Sequence, residues 1–379
     1  MRILHVIPYF TPEMGGSARV AYQMAYHLGR RGHQVTVLTS DYGMRHSRFA
    51  PGPFEIACLS TTIARWGFYV NPALPGWAAS HTTQFDLIHM HTVRTYQNAV
   101  LARHAAAGRV PFIISAHGTL PVIMQRQAAK RAYDLIAGRS LLAAASRMVA
   151  VSTAEAEQYR AAGIDARRIR IVPNGLDLDE FANLPAPGSF RRRFASLPPQ
   201  ARLLLYLGRL HRIKGVDRLI EAFARLARQD GSVLIVVGPD DGDLANLRAV
   251  AARLGVGDCV WFAGPLYGRD RLAALVDADV VAAPSRYEIF GLVPFEALMC
   301  GTPVIVADDC GSGELIGEAG AGEVVSAGDI AGLAAALQRT SKARPGAMQK
   351  VASGQAFVRA HLDWNTVIAG LEDVYREIC

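Results

Sequence analysis

Two acids and two cations are the residues of this chain whose types and spacing could do chemistry. Glu288 and Glu296 stand eight positions apart in the run from Ala283 to Val306, Ala-Pro-Ser-Arg-Tyr-Glu-Ile-Phe-Gly-Leu-Val-Pro-Phe-Glu-Ala-Leu-Met-Cys-Gly-Thr-Pro-Val-Ile-Val. An ionised carboxylate accepts two hydrogen bonds and can grip a vicinal diol. Between the acids, Phe290, Gly291 and Leu292 set backbone N–H groups at the mouth of a helix, where an anion is favoured. Gly291 lets the backbone approach such a ligand closely. Upstream, Arg209 and Lys214 lie in Gly208-Arg-Leu-His-Arg-Ile-Lys-Gly215. A guanidinium matches phosphate oxygens in bidentate fashion, and an ammonium adds a mobile point charge. Acids for hydroxyls, with amides and cations for phosphates, suit a sugar nucleotide. Taken alone, the acids read equally well as helix-dipole partners, whereas a reading of the cations as merely exposed charges is weakened by their position at a strand end.

These residues need elements to hold them. Ala278 to Ala283 reads as a buried parallel strand ended by Pro284, a helix runs through Met299, Gly301 takes its C′ position, and Pro303 restarts the chain as a strand. The loop between strand and helix falls where open α/β sheets bind ligands. The same alternation recurs. Arg2 to Pro8 reads as a strand, Tyr9 to Ser17 as a loop containing Gly15 and Gly16, and Ser17 as the N-cap of a helix from Ala18 to Arg31. Strands at 85–90 and 110–115 follow, the second leading into Ala116-His117-Gly118-Thr119. The pattern predicts one helix over 121–145 carrying Arg126, Lys130, Arg131 and Arg139, and a helix from Ser152 to Ala162. Aromatic residues Trp66, Phe68, Tyr69 and Trp77 read as core or as an apolar shelf for a lipid-linked acceptor. The second half has strands at 203–207, 233–237 (followed by Gly238) and 259–263 (followed by Gly264-Pro265-Leu266). A helix runs from the Lys214 loop to Arg228, and Gly311 to Glu314 reads as a tight loop. Asp179 to Pro199, rich in Pro, Arg and Ser, reads as a linker.

Composition narrows the classes. At 379 residues and 51% hydrophobic, the chain can fill the cores of two α/β domains. No apolar run approaches the roughly 18 residues of a membrane-spanning helix, and the first ten suit a strand better than a signal peptide, so a cytoplasmic location is expected. The five cysteines are far apart and imply neither zinc site nor disulfide framework. The opening unit lacks G-x-G-x-x-G, which argues against nicotinamide binding. Residues 1–180 hold 19 Lys/Arg against 11 Asp/Glu, so the whole net charge of +7 comes from the first half. That half is expected to meet an anionic partner, a lipid diphosphate or a membrane surface; no nucleic-acid-binding signature accompanies the charge.

The stretch around Glu288 and Glu296, with Gly301 to Val304 closing it, resembles the Glu-x7-Glu signature of retaining glycosyltransferases of family 4. Gly208-Arg209-Leu210 with Lys214-Gly215, and Val-Pro-Asn-Gly-Leu-Asp at 172–177, resemble the same family; Ile289 departs from it where glycine is common. The resemblance implies an α/β GT-B fold, two Rossmann-like domains facing across a deep cleft. Its divisions would be 1–178 for the acceptor with 362–379 crossing back, 179–199 as linker, and 200–361 for the nucleotide sugar.

It also implies roles. Arg209 and Lys214 would clamp the diphosphate, with Gly15 and Gly16 also against it. Glu288 would hold sugar hydroxyls, Glu296 the ribose, and His117 the sugar near C6. Leu266 would lie beside the base, with Gly238, Phe290, Gly291 and Leu292 as further donor contacts. The reaction implied is transfer from a UDP- or GDP-sugar to a glycan or lipid-linked hydroxyl, with retention and no cofactor, on the inner face of the plasma membrane. No metal is expected, and the triplets Asp177-Leu178-Asp179 and Asp277-Ala278-Asp279 read as accidental. The rivals are a retaining glycosidase using Glu288 and Glu296, and a non-catalytic sugar-nucleotide or lipid-binding subunit.

Overall fold

The computed structural model describes residues 1–44, 49–65, 68–123, 126–193, 198, 200–226, 231–342 and 344–379; Trp66 and Arg228 lie outside them. The chain divides into two compact units, Met1–Gly175 with Trp364–Cys379, and Leu176–Asp363.

The first unit is built on β1 (Arg2–Val6), β2 (Gln34–Ser40) and β3 (Glu55–Leu59), then a hairpin of β4 (Ile63–Arg65) and β5 (Phe68–Val70). β6 (Leu87–His91), β7 (Phe112–Ser115), β8 (Arg147–Ala150) and β9 (Ile169–Ile171) follow. Among the described residues, all but the hairpin form one parallel sheet in the order β3-β2-β1-β6-β7-β8-β9. A parallel sheet is buried on both faces, so its strands read as unbroken apolar runs. Leu4, Val6, Ile88, Met90 and Ile114 serve one core, and Ile3, Ile7, Leu87, Ile113 and Val149 serve the other. The C-terminal helix Trp364–Arg376 covers the second face, burying Trp364, Val367, Ile368, Leu371 and Tyr375 at helical spacing. Glu372 fastens it by accepting from Arg31 Nε at 2.7 Å, and Glu377 by accepting from Arg147 Nε at 2.9 Å.

The second unit contains β10 (Leu203–Leu207), β11 (Val233–Val237), β12 (Val260–Gly264), β13 (Val280–Ala283), β14 (Val304–Ala307) and β15 (Glu323–Val325). Among the described residues they form a parallel sheet in the order β12-β11-β10-β13-β14-β15.

Several local expectations change. The first helix begins at Gly16 with Gly15 as its cap, because the Ser17 hydroxyl is engaged with Tyr9 Oη at 3.3 Å instead of capping. The helix expected over 121–145 starts at Gln127 and is interrupted by a π turn at Asp134–Gly138. There Arg94 binds Asp134 through Nε at 2.8 Å and Nη2 at 2.7 Å. Gly311–Glu318 is a helix, not a tight loop, since Cys310 Sγ accepts the Gly313 N–H and supplies a cap. The expected linker is anchored inside the second unit, where Asp277 accepts the Gly188 N–H at 2.5 Å and the Phe190 N–H at 2.8 Å. Asp279 accepts the Leu203 N–H at 2.9 Å and Asp177 that of Asp179 at 3.2 Å, so both Asp-x-Asp triplets serve the backbone. Phe68 and Tyr69 pack as core, edge-on to Tyr96 and Tyr9. Trp77 stacks on His81 and, with Phe54 and Phe85, lines a 730 Å³ cavity at the amino-terminal ends of β1 to β3.

Candidate active site

Each sheet changes direction once. In the first unit the chain builds outward from β1 through β2 to β3, then crosses to β6 on the other side of β1. In the second it builds from β10 to β12, then crosses to β13. Loops at the carboxyl ends of the two strands flanking such a point diverge and leave a crevice, the usual ligand position in open α/β sheets.

In the second unit these are the loops after β10 and β13, and they bring expected residues together. Lys214 ends a 3-10 turn after β10, and Gly215 follows with φ +67° at the head of the helix Val216–Ala224. A Cβ on Gly215 would lie 2.2 Å from the Pro284 carbonyl, so glycine allows the β10 and β13 loops to touch. The Arg286 N–H donates to Ile213 O at 2.7 Å across this junction. Beside it the Lys214 ammonium pairs with the Glu288 carboxylate, with 17% and 26% of the two side chains exposed. Gly291, at φ +78°, presses the same loop onto the next helix start; its Cβ would meet Ser312 Oγ at 3.0 Å. Phe290 turns its ring into the core against Phe295, leaving the Phe290–Leu292 backbone at the entry to Val293–Met299. Ile289 is buried too, so its bulk fills protein interior.

Glu296 sits in the first turn of that helix but engages a partner that the local motif does not contain. It pairs with Arg271, which also reaches Glu180 at 2.5 Å; 12% of each of the Arg271 and Glu296 side chains is exposed. Arg209 lies on the outer side of its loop, about half exposed and paired with Asp241. Gly238 is buried, and a Cβ there would fall 1.8 Å from the Gly208 carbonyl, so contact between the β10 and β11 loops accounts for this glycine. Leu266 is half-buried beyond β12; its loop joins the others through the Gly238 N–H, which donates to Gly264 O at 2.9 Å.

In the first unit the loop after β1 carries Gly15 and Gly16, and His117 follows β7, the strand next to β6. Gly15 needs glycine for its φ of +114°, whereas no such φ applies to Gly16. Added Cβ atoms on either would meet nothing within 4 Å, so the amino terminus of the helix Gly16–Arg30 is open. His117 adopts φ +50°, a left-handed conformation that costs a non-glycine residue about 1–3 kcal/mol. The turn is held from below. Glu155 accepts the Gly118 N–H at 2.6 Å and the Val151 N–H at 2.9 Å, and Tyr159 Oη accepts the Ala116 N–H at 2.9 Å. Burial pushes the Glu155 carboxyl up to about 7 against the pull of both amides. Burial also lowers the His117 imidazole to about 4.

This architecture has relatives. Residues 14–180 match the family described as Glycosyltransferase Family 4, and residues 190–356 match Glycosyl transferases group 1. A D-inositol 3-phosphate glycosyltransferase of Streptomyces bingchenggensis is 31% identical, over 86% of this chain and 74% of that protein. The protein of the same name from Saccharomonospora viridis is also 31% identical, over 97% and 90%. This chain belongs to glycosyltransferase family 4. The crystal structure of Anabaena Alr3699/HepE in complex with UDP-glucose shares its GT-B fold, with a TM-score of 0.79 at 22% identity over the whole of both chains.

Sequence reasoning reached the loops at the carboxyl ends of both sheets but missed the residues that position them. Arg271 and Asp241 lie far along the chain from their partners, and Glu155 and Tyr159 sit in an unremarkable helix. One signal was available: Ser152-Thr-Ala-Glu155 has capping-box spacing, and Ser152 Oγ does accept the Glu155 N–H at 3.2 Å. The Gly238 contact yields a prediction. Gly238→Ala sets a side chain against a backbone carbonyl that cannot swing away, and should lower stability by about 2–4 kcal/mol. Urea unfolding of the second unit checks it; an unchanged midpoint would show that the loops separate freely.

Proposed function

We propose that this glycosyltransferase moves a sugar from a nucleoside-diphosphate sugar to an acceptor hydroxyl with the anomeric configuration retained. The observation that carries the reading is the meeting of Lys214 and Glu288 at the second unit's strand-order reversal, beside the backbone of Phe290, Gly291 and Leu292. Cleaving the glycosyl–phosphate bond leaves negative charge on the diphosphate and an oxocarbenium-like sugar. Lys214, Arg209 and the helix-end amides stabilise the leaving group, with Gly15 and Gly16 offering a second open helix terminus. Arg209 gives up an exposed pair with Asp241, worth about 0–1 kcal/mol, so release to phosphate is easy. Glu288 steers Lys214 and accepts from sugar hydroxyls; Glu296 accepts from the ribose; His117 contacts the sugar. This reading gives charge neutralisation to side chains and needs no metal ion.

Thermal-shift titration with UDP, GDP and ADP tests the donor site. Saturation at about 100 times Kd stabilises by about 2.7 kcal/mol, and one base should stand out. No response to any nucleoside diphosphate at millimolar concentration would remove the donor assignment. Product NMR with the responding donor then reads the anomer, and an inverted product would remove retention.

The acceptor is a glycan or lipid-linked hydroxyl reached at an anionic membrane surface, in cell-surface polysaccharide or glycolipid synthesis. Support comes from the interrupted helix in the first unit. Ala128, Ala132, Leu135, Ile136 and Ala143 are exposed together, Leu135 by 67% and Ile136 by 76%, with exposed Arg131 and Arg139 alongside. The segment's acid, Asp134, is occupied by Arg94. An apolar stripe edged by cations lies in a headgroup layer. No helix among the described residues is long and apolar enough to cross a membrane. Co-sedimentation should show binding to phosphatidylglycerol vesicles and not to phosphatidylcholine, with Leu135→Ser plus Ile136→Ser weakening it on the order of tenfold. The name of the Streptomyces and Saccharomonospora relatives favours a second reading, a soluble phosphorylated polyol as acceptor. Absence of vesicle binding would favour it.

A further inference from the structure

Four histidines gather at the strand-order reversal of the first unit. In β6 all five residues are buried, yet two of them are His89 and His91. Parallel register sets His5 of β1 beside His89, and alternation puts His91 on the same face. His5 Nδ1 lies 2.9 Å from His91 Nε2, and His91 Nδ1 lies 2.9 Å from His117 Nε2. The His91 and His117 rings are parallel within 6°, and those of His5 and His91 within 21°. His89 is held separately, between Ser115 Oγ at 2.7 Å and Tyr375 Oη at 2.8 Å. Burial lowers the basicity of all four rings, His5 to about 3 and His89 and His91 well below the usual imidazole range, so each is neutral and carries one proton.

A chain of neutral imidazoles can run in two directions. If each ring donates from Nε2, the last proton sits on His5 Nε2. That atom is buried without a hydrogen-bond partner. An orphaned buried N–H is the rarer and costlier defect; an unused lone pair is better tolerated. The other direction has His5 Nδ1–H donating to His91, and His91 Nδ1–H donating to His117 Nε2. His117 is then an acceptor on its inner side, and its proton must sit on Nδ1, which takes no part in the stack.

We propose that His5 and His91 are positioning residues that fix His117 as a neutral imidazole with its proton on Nδ1, so that it meets its ligand as a hydrogen-bond donor. This rests on the reading that His117 contacts the donor. A fixed Nδ1–H suits an oxygen lone pair, on a sugar hydroxyl or a phosphate, and rules His117 out as a general base through that atom. The tautomer is the opposite of the one a free neutral histidine prefers, so the arrangement has a signature. It also gives the buried polar chain of β1 and β6 a task that packing alone would not require, because aliphatic residues would fill the same sheet.

The test is ring-nitrogen NMR on the full chain with 15N-labelled histidine at pH 7.5, where long-range couplings separate the two neutral tautomers. His117, assigned by loss of its signals in His117→Gln, should be the Nδ1–H form without any ligand present. His91→Phe keeps a stacking ring but removes the donor, and should return His117 to a mainly Nε2–H form. His91→Asn restores an N–H near the Nδ1 position and should restore Nδ1–H. With a donor in hand, His91→Phe should lower kcat about 10- to 100-fold with KM little changed, and His91→Asn should recover most of it. An Nε2–H His117 in the unmodified chain overturns the proposal whatever His91→Phe does. So does a His117 tautomer indifferent to His91→Phe. The ligand atoms of His5, His89 and His91 lie within 4.8 Å of one another, so equimolar Zn²⁺ is added in a further arm. Sharp shifts of those three rings would mark a metal centre and also overturn the proposal. The tautomer readout involves no sugar nucleotide, so failure of the donor assignment and failure of this inference are told apart.

Discussion

Lys214→Ala is expected to lower sugar transfer about a hundredfold or more with the chain still folded. The ammonium sits at the head of the helix Val216–Ala224 and faces Glu288, held by a loop whose glycine touches the Pro284 carbonyl. A positive charge fixed in place before the reaction requires no reorganisation when the diphosphate departs, which is why such donors act strongly in a partly dry site. The pair is less than one-third exposed on either side, so removing one partner leaves Glu288 without a counter-charge. Glu288→Gln in the Lys214→Ala background should therefore recover stability and not turnover. Steady-state kinetics with the true donor decides it: activity within about twofold of the unmodified enzyme would remove Lys214 from the chemistry.

Arg271→Ala should carry the largest stability effect. Arg271 and Glu296 are almost fully covered, and the guanidinium also serves Glu180. Breaking a buried ion pair by deleting one side costs about 3–5 kcal/mol, because the remaining charge stays buried and uncompensated. For a unit of this size that corresponds to a fall in Tm of roughly 10 °C in the second unit's transition. Arg271→Met with Glu296→Gln removes both charges and should recover much of the loss. A single-variant loss below about 1 kcal/mol would show that Glu296 reaches water and that Arg271 does not set its orientation. Glu180 lies near the start of the second unit, so the same variant would loosen that start from the helix Val293–Met299.

Much of the glycosyltransferase's crevice was legible from short stretches. Phe290-Gly291-Leu292 between two acids specifies a loop, a helix start and an anion-friendly backbone within nine residues. The loop of Arg209 and Lys214 reads as a strand end because an unbroken apolar run precedes it. Where such local reasoning failed, a side chain had a competing use. Ser17 bonds Tyr9 and leaves the cap to Gly15. His5 and His91 raise no local signal, because nothing near them in sequence shows that they and His117 form a chain.

The sequence alone determined the alternation of strands and helices, the glycines that permit tight loops, and the identity of the acids and cations at those loops. All of these rest on periodicity and backbone sterics acting over a few residues. Which charge meets which was decided only by tertiary structure. Lys214 faces Glu288 because β13 crosses to pair with β10, and His5 meets His91 because β6 crosses to pair with β1. Crossovers in parallel sheets are nearly all of one hand, but the side on which the next strand lands is not written in its own residues. It follows from which faces remain apolar once the other strands and helices have packed, and that is a property of the whole unit.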